Sequence, residues 1–475
     1  MFCMSCNFVA VDREQLMLMP PSVGDWLPED HLAWFVLDVI DEFDLAEFVA
    51  GYRSDGRGGA AYHPAMMVAL LVYAYSVGER SSRRIERRCV EDVAFRVIAA
   101  NQTPDHATIA RFRVVYAEAL AGLFGQVLAL CSRAGVLRPG LVAIDGTKLA
   151  ANASRDANRT AEQLAAEILA EADAVDAAEE AAGDDAEVPA ALASRGAKRK
   201  ARLRELLDEL EAEAAEKSYE AHMARRAEIE ARTGRPVRGR PPSPDAATHK
   251  SRRQANVTDP DSRLLKTKSG YVQGYNAQAV ATEDQYVVAA EVTNQAHDAP
   301  SFVPLITTAK RNLRQAGERR RVRRVVADAG FWSDDNANMA GVDTLIAPGR
   351  ARKLKQIGET DRERSELLAR VETGDVDKAD AATQLGVTRA RVNQLLRIRR
   401  DGSPETLTTE MMAKLDTPRG RKIYKKRAAS IEPVFAQIKH NRGIRTVAQR
   451  GLAAVDSEWK LICTTHNLLK LWRIA

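Results

Sequence analysis

Twice in this chain a short apolar run stops at an aspartate with a glycine close behind it. Leu141-Val142-Ala143-Ile144 precedes Asp145-Gly146, and Val325-Val326-Ala327 precedes Asp328-Ala329-Gly330. Each run is short and shows no polar alternation, so it reads as a strand buried on both faces. Strands of that kind need helices layered over them, which points to an α/β architecture with parallel pairing in its sheet.

The other strand signals fit one sheet. Residues 140–150 form the opening strand, and residues 271–281 and 285–293 flank Thr282-Glu283-Asp284 as a hairpin. A helix over 301–315, a strand over 322–327, a short helix and a strand over 342–347 follow. Hairpin strands pair antiparallel and helix-linked strands pair parallel, so the sheet is expected to be mixed.

Helical segments surround this sheet. Residues 10–138 read as helical, with an apolar helix opened by Pro64 and another capped by Asp105. Arg111 and Arg113 are placed away from the apolar Ile109 and Phe112, in a bundle that either touches DNA or is a plain helical domain. Residues 158–230 carry two apolar stripes, Leu164/Ile168/Ala172/Val175 and Leu203/Leu206/Leu207/Leu210, and read as an inserted helical hairpin. A Pro/Gly/Arg-rich linker closes it at 232–247. Within a charged stretch over 350–420, Ala382, Gly386, Val387, Thr388, Val392 and Leu395 are spaced as in a helix-turn-helix. Its second helix presents Arg389, Arg391, Asn393, Gln394 and Arg397 to phosphates or base edges.

The expected organisation is an N-terminal helical domain over 1–138, an α/β core over 139–157 and 248–350, a hairpin and linker over 158–247, a helical insertion over 351–418, and C-terminal core helices over 419–475. A length of 475 residues suits two to four domains. The longest mostly apolar run, residues 65–77, falls short of the roughly 20 residues of a membrane span. The first residues lack a basic-then-apolar leader, so a cytoplasmic protein is expected, with no membrane partner. Of five cysteines, Cys3 and Cys6 form one CxxC with no second pair to complete a zinc site. That segment is read as an N-terminal tail, and Cys89, Cys131 and Cys463 as core residues.

Net charge is only +5, but it is unevenly placed. Residues 419–450 hold ten Lys/Arg and one carboxylate, and residues 310–324 hold eight Lys/Arg against Glu318. Clustered cations on a balanced chain suit a polyanion. Two aspartates on adjacent strands raise a further expectation. At ~4 Å they repel by roughly 4 kcal/mol at an effective dielectric near 20, so they share a proton or hold a cation. Glu432, isolated among cations and on one helix face with Lys439, offers a third carboxylate. Oxygen ligands of this kind suit Mg²⁺ or Mn²⁺, and a two-ion site serves phosphoryl transfer.

Several motifs, in order, resemble the DDE transposases of bacterial insertion sequences. They are AIDGTKLAANAS (143–154), NVTDPDSRLLKTKSGYVQGYNAQAV (256–280), VVADAGFWS (325–333), YKKRAASIEPVFAQIKHNRGIR (424–445) and EWKLICTTHNLLKL (458–471). Residues 62–86 and 103–113 resemble the N-terminal helical domain of the same group. The resemblance implies an RNase H-like core with a mixed five-stranded sheet. It also implies a catalytic, metal-binding triad of Asp145, Asp328 and Glu432 with two Mg²⁺ or Mn²⁺ ions. Tyr424, Arg427 and Lys439 match residues of the family pattern around the glutamate, although four residues separate Arg427 from Glu432 where the best-known pattern has three. Together with Arg442, Lys266, Lys268, Arg389 and Arg391, these are the expected DNA contacts, and Tyr275 is a further candidate. The implied activity is metal-dependent cutting at terminal inverted repeats and strand transfer into target double-stranded DNA by a homodimer. The alternative is a DNA-binding regulator, or a decayed transposase, that does not cut.

Overall fold

The computed structural model describes residues 22–52, 61–168, 170, 190–233, 254–267, 270–348, 366–400 and 404–474. The chain divides into two units, residues 1–120 with 472–475, and residues 121–471.

The first unit is helical: α1 (Leu32–Asp41), α2 (Pro64–Ser76), α3 (Ser82–Glu91), α4 (Val93–Ile98) and α5 (His106–Val115). Its centre is α2, buried from Met67 through Ser76 and contacted by α1 and α4. Pro64 starts that helix where no intrahelical N–H is required, and the His63 ring accepts from Ala65 N. Asp105 caps α5 as expected, accepting from Ala107 N and Thr108 N. Arg113 departs from expectation. It turns inward and donates to Tyr75 Oη (3.2 Å), Arg80 O (2.7 Å) and Ser82 Oγ. It lies one helical turn beyond Ile109, and hydroxyl and carbonyl oxygens there accept from its two Nη groups.

In the second unit the sheet has the order β4-β5-β1-β7-β8, with β6 also on β5. The strands are β1 (Leu141–Ala150), β4 (Arg263–Thr267), β5 (Gly270–Thr282), β6 (Val287–Thr293), β7 (Arg324–Ala327) and β8 (Asp343–Ile346). Two short strands, β2 (Asn158–Arg159) and β3 (Ala255–Asn256), pair separately. Strand β1 runs antiparallel to β5 and parallel to β7, which runs parallel to β8, so the sheet is mixed. It holds six strands rather than the expected five. The thirteen residues of β5 are long enough to take β4 on 270–274 and β6 on 276–281, end to end along the side away from β1. Gly274 sits at the crowded crossing, where a Cβ would stand 1.9 Å from Leu149 O.

After α6 (Ala117–Arg133) and α7 (Ala190–Thr233), helices α8 (Phe302–Gln315), α12 (Pro418–Ala436) and α13 (Leu452–Trp472) attach to the sheet. Helix α8 faces β5 and β6 with Phe302, Leu305, Ile306, Ala309 and Leu313, an i, i+3, i+4, i+7, i+11 stripe. Helix α12 packs on β1, β5 and β7. Helix α13 covers the edge strand β6 with polar groups in place. Asn467 exchanges two hydrogen bonds with Val287, Asp456 accepts from Val292 N, and His466 Nε2 meets Gln285 O. Those contacts occupy edge groups that would otherwise invite another strand. His466 and Asn467 are thus core groups.

Two satellite cores lie outside the sheet. Leu164 and Ile168 pack with Leu203, Leu206 and Leu210 against Ala255, joining the two expected stripes; Ala172 and Val175 lie outside the described residues. Helices α9 (Lys378–Leu385) and α10 (Arg389–Arg400), followed by α11 (Pro404–Asp416), meet through Gly386, whose φ of 64° ends α9 in the left-handed region. Val392, Leu395, Ala381 and Leu368 close the core beneath that turn. Among the described residues no single helix is long and apolar enough to cross a membrane.

Candidate active site

Strand β1 outlasts its parallel neighbour. Pairing with β7 ends at Ile144 opposite Ala327, while pairing with β5 continues to Ala150. Asp145 therefore lies within a strand rather than at its tip, at the point where β7 stops. Asp328 is the first residue beyond β7, and its Oδ1 accepts from Gly330 N (2.9 Å). The two carboxylates thus follow the last paired residues of adjacent strands.

Helix α12 brings the third carboxylate. Arg427 Nη1 donates to Asp145 Oδ2 and Nη2 to Glu432 Oε1, each at 3.0 Å, joining residues 282 positions apart in the chain. The helix lacks one backbone hydrogen bond at this place. Pro433 has no N–H for Ala429 O, and the Gln285 side chain donates to that carbonyl instead (3.0 Å). Gln285 reaches it from the β5–β6 turn, with φ at 64°. A π-helical turn over Gln437–Asn441 ends the helix, and Lys439 Nζ donates to Lys148 O (2.6 Å).

Electrostatics single out Asp145. Burial pushes its carboxyl up to about 6, and the charge of Asp328 adds to the rise. The Gly146 N–H and Arg427 oppose it, and Asp298 contributes a smaller push upward. Tyr424, close to Arg427, Asp328 and Asp145, is raised chiefly by burial. Lys439 is lowered by burial, then by Arg445 and Lys148.

Alternation along β1 turns Gly146 and Lys148 to the sheet face opposite Asp145. There stands a fourth carboxylate that the sequence did not single out. Asp298 Oδ1 accepts from Asn276 Nδ2 (2.6 Å) and Gln278 Nε2 (2.7 Å), with Lys148 Nζ at 3.5 Å. A Cβ on Gly330 would lie 3.1 Å from both Asp298 Oδ2 and Asp328 Oδ1, so the two carboxylates flank one space. In sequence Asp298 precedes Ala299-Pro300-Ser301 and reads as a turn residue; only the strand order brings it here.

The remaining expected contacts divide. Lys266 and Arg389 are exposed. Lys268 and the side chain of Arg391 lie outside the described residues. Arg442 is used inside the protein, donating to Thr465 Oγ1 (2.7 Å) and Ile462 O (3.2 Å), and burial lowers it to about 10. Tyr275 is fully buried and donates to Asp259 Oδ1 (2.7 Å). Asp259 also accepts from Gly451 N, and Asp261 from Leu452 N, so both fix the start of α13.

Among the described residues no three His, Cys, Asp or Glu side chains already converge on one metal position. The donor set still suits a hard divalent cation. Mg²⁺ takes one or two carboxylates and keeps waters or phosphate oxygens for the rest of its shell. In the present arrangement Arg427 supplies positive charge to Asp145 and Glu432.

Residues 21–114 match the transposase domain (DUF772) family, and residues 387–472 match the transposase DDE domain family. The second match contains Arg427, Glu432 and Lys439, and Asp145 and Asp328 lie outside it. No curated protein and no solved structure matches the chain. The two matches, one after the other on one chain, support a DDE transposase of the insertion-sequence type.

Proposed function

We propose that this chain cuts DNA at the terminal inverted repeats of an insertion sequence and joins the freed end to target DNA, with Asp145, Asp328 and Glu432 as its catalytic carboxylates. The observation that carries the reading is the single guanidinium of Arg427 joining Asp145 on a core strand to Glu432 on a helix far along the chain, beside Asp328. We read the sheet as RNase H-like, because β5 runs antiparallel beside β1 while β7 and β8 follow in parallel on its other side. The first helical unit and the α9–α10 pair are read as DNA-binding parts, and a homodimer as the form that holds two ends together.

A divalent cation held by the three carboxylates would supply the positive charge that activates the attacking oxygen and stabilises the leaving one. The chain's own groups do the rest. Gly146 N–H and Arg427 hold the Asp145 carboxylate in one orientation. Lys439 ties the end of the catalytic helix to β1. Tyr424, Arg427 and the exposed Lys266 and Arg389 are read as contacts to phosphates.

The test is a labelled duplex bearing the element's end, incubated with Mg²⁺ or EDTA, beside Asp145→Asn. Cutting that requires metal and disappears in the variant is expected. Equal binding by both proteins with no cutting by the parent would establish the second reading, a non-cutting DNA binder. One observation favours that second reading: Arg427 already neutralises Asp145 and Glu432.

A further inference from the structure

At the start of the parallel strands, four residues back from the carboxylates, a cleft of about 1150 Å³ opens beside Leu141, Arg324 and Asp343. Its cations are Arg138, five arginines of the run 319–324, and Lys426; its carboxylates are Glu283 and Asp343. The excess of five positive charges equals the net charge of the entire chain. The acids are already engaged: Glu283 pairs with Lys426, and Asp343 with Arg324 (3.4 Å) and Lys414 (2.5 Å). Arg319, Arg321 and Arg323 are exposed and make no ion pair or side-chain hydrogen bond among the described residues.

The local backbone explains their display. The run enters β7 as a non-helical segment, pinned where Arg323 N and Arg324 N donate to Gly140 O. Val322 is buried within it, so Arg321 and Arg323 on either side project outward. Alternate residues of an extended chain are about 6.6 Å apart, on the scale of the spacing of phosphates along a duplex backbone. Guanidinium forks match phosphate oxygens, and unpaired ones give up no internal partner on binding.

The cleft adjoins the carboxylates. Lys426 lines it and Arg427, the next residue, touches Asp145. Four residues of strand separate Leu141 from Asp145, about 13 Å, or roughly four base pairs of duplex. We propose that this cleft grips the phosphate backbone of the same duplex that reaches the carboxylates, about four base pairs from the reacting bond. The proposal rests on the reading of the carboxylate site as a DNA-cutting centre.

The experiment measures binding of a labelled end duplex in EDTA across a salt series, with Arg321→Ala/Arg323→Ala beside the parent. Arg204→Ala/Arg225→Ala, on the exposed face of α7, removes the same charge elsewhere. Each lost phosphate contact lowers the slope of log affinity against log salt by about 0.9, so the cleft variant is expected to fall by about 1.8 and the other to hold the parent's slope. Backbone protection about four base pairs from the cut should disappear in the cleft variant alone. An unchanged slope in the cleft variant, or an equal fall in both variants, overturns the proposal. A parent that binds DNA but does not cut it in Mg²⁺ defeats the cutting reading, and with it the placement relative to a reacting bond. A parent that binds no DNA defeats both.

Discussion

At Ile144 and Ala327 the parallel strands β1 and β7 give way to Asp145 and Asp328. At Leu141 and Arg324, about 13 Å back along the same strands, they begin beside an arginine-rich cleft. The first end is built from groups that constrain one another. Asp145 is held by Arg427 and Gly146, and Asp298 by two fully buried amides. The second end leaves its arginines exposed over a single buried valine. The difference separates two kinds of site. One prearranges charge in a partly dry place and ties it to the fold; the other leaves charge in water, where it is free to meet a partner's phosphates.

The largest effect should come from Asp145→Asn. Cutting should fall by about 10³-fold or more, the loss expected when several kcal/mol of metal-assisted stabilisation is removed. Stability should move the other way. The folded carboxyl titrates near 6 against an ordinary 3.8, so the native state holds its proton more tightly than the unfolded chain does. The stabilisation from that proton is complete below about 4 and lost as pH rises through about 6, an amount of up to about 3 kcal/mol. In EDTA the parent should therefore lose stability between pH 4 and 7 while Asp145→Asn does not, and at pH 8 the variant should be the more stable. A variant less stable than the parent at pH 8 would mean that Asp145 serves the fold like any core group, and the contrast between the two ends would fail.

Asp298→Ala comes next. It leaves the Gln278 donor without its acceptor and the Asn276 donor with only Gln295 O (3.3 Å), and among the described residues Asn276 Oδ1 and Gln278 Oε1 have no hydrogen-bond partner to begin with. With one buried donor left unpaired, the loss should reach about 1–3 kcal/mol in denaturant unfolding. Asp298→Asn keeps an acceptor and should lose less. Gly146→Ala tests the same packing from the other side. Its Cβ would stand 2.7 Å from Gln278 Nε2 and 3.0 Å from Asn276 Oδ1 and Asp298 Oδ1. An overpacking loss of about 1–3 kcal/mol is expected; an unchanged melting temperature would show that the amide cluster is loose.

How far these ends could be read from sequence follows from the same physics. Asp145 and Asp328 stand out because two apolar runs each halt at a carboxylate, and Gly386 and Val392 because a turn glycine and an inward valine recur at fixed spacing. Strand β4 was missed: Arg263-Leu264-Leu265-Lys266-Thr267 is short, and it is held by pairing with β5. Asp298 was invisible because a turn aspartate looks the same whether it faces water or two buried amides. The position of Arg113 away from Ile109 and Phe112 points it outward, and the chemistry of Arg442 and Tyr275 suits phosphate. Their inward partners, Tyr75, Thr465 and Asp259, lie 38, 23 and 16 residues away, and no local pattern encodes such pairings.

The smallest effect is expected at the basic end, and it is the sharper half of the comparison. Arg321 and Arg323 are exposed, without ion pairs among the described residues, and the packing of their segment rests on Val322 and on the bonds to Gly140 O. Neither alanine removes a contact from the fold, so Arg321→Ala/Arg323→Ala should unfold within about 0.5 kcal/mol of the parent. Relief of repulsion among crowded like charges favours a slight gain at low salt that fades as salt screens it. Urea unfolding at two salt concentrations measures both quantities. A loss above about 1 kcal/mol would mean that these cations hold the strand entry in place, and the two ends would then differ only in the sign of their charge.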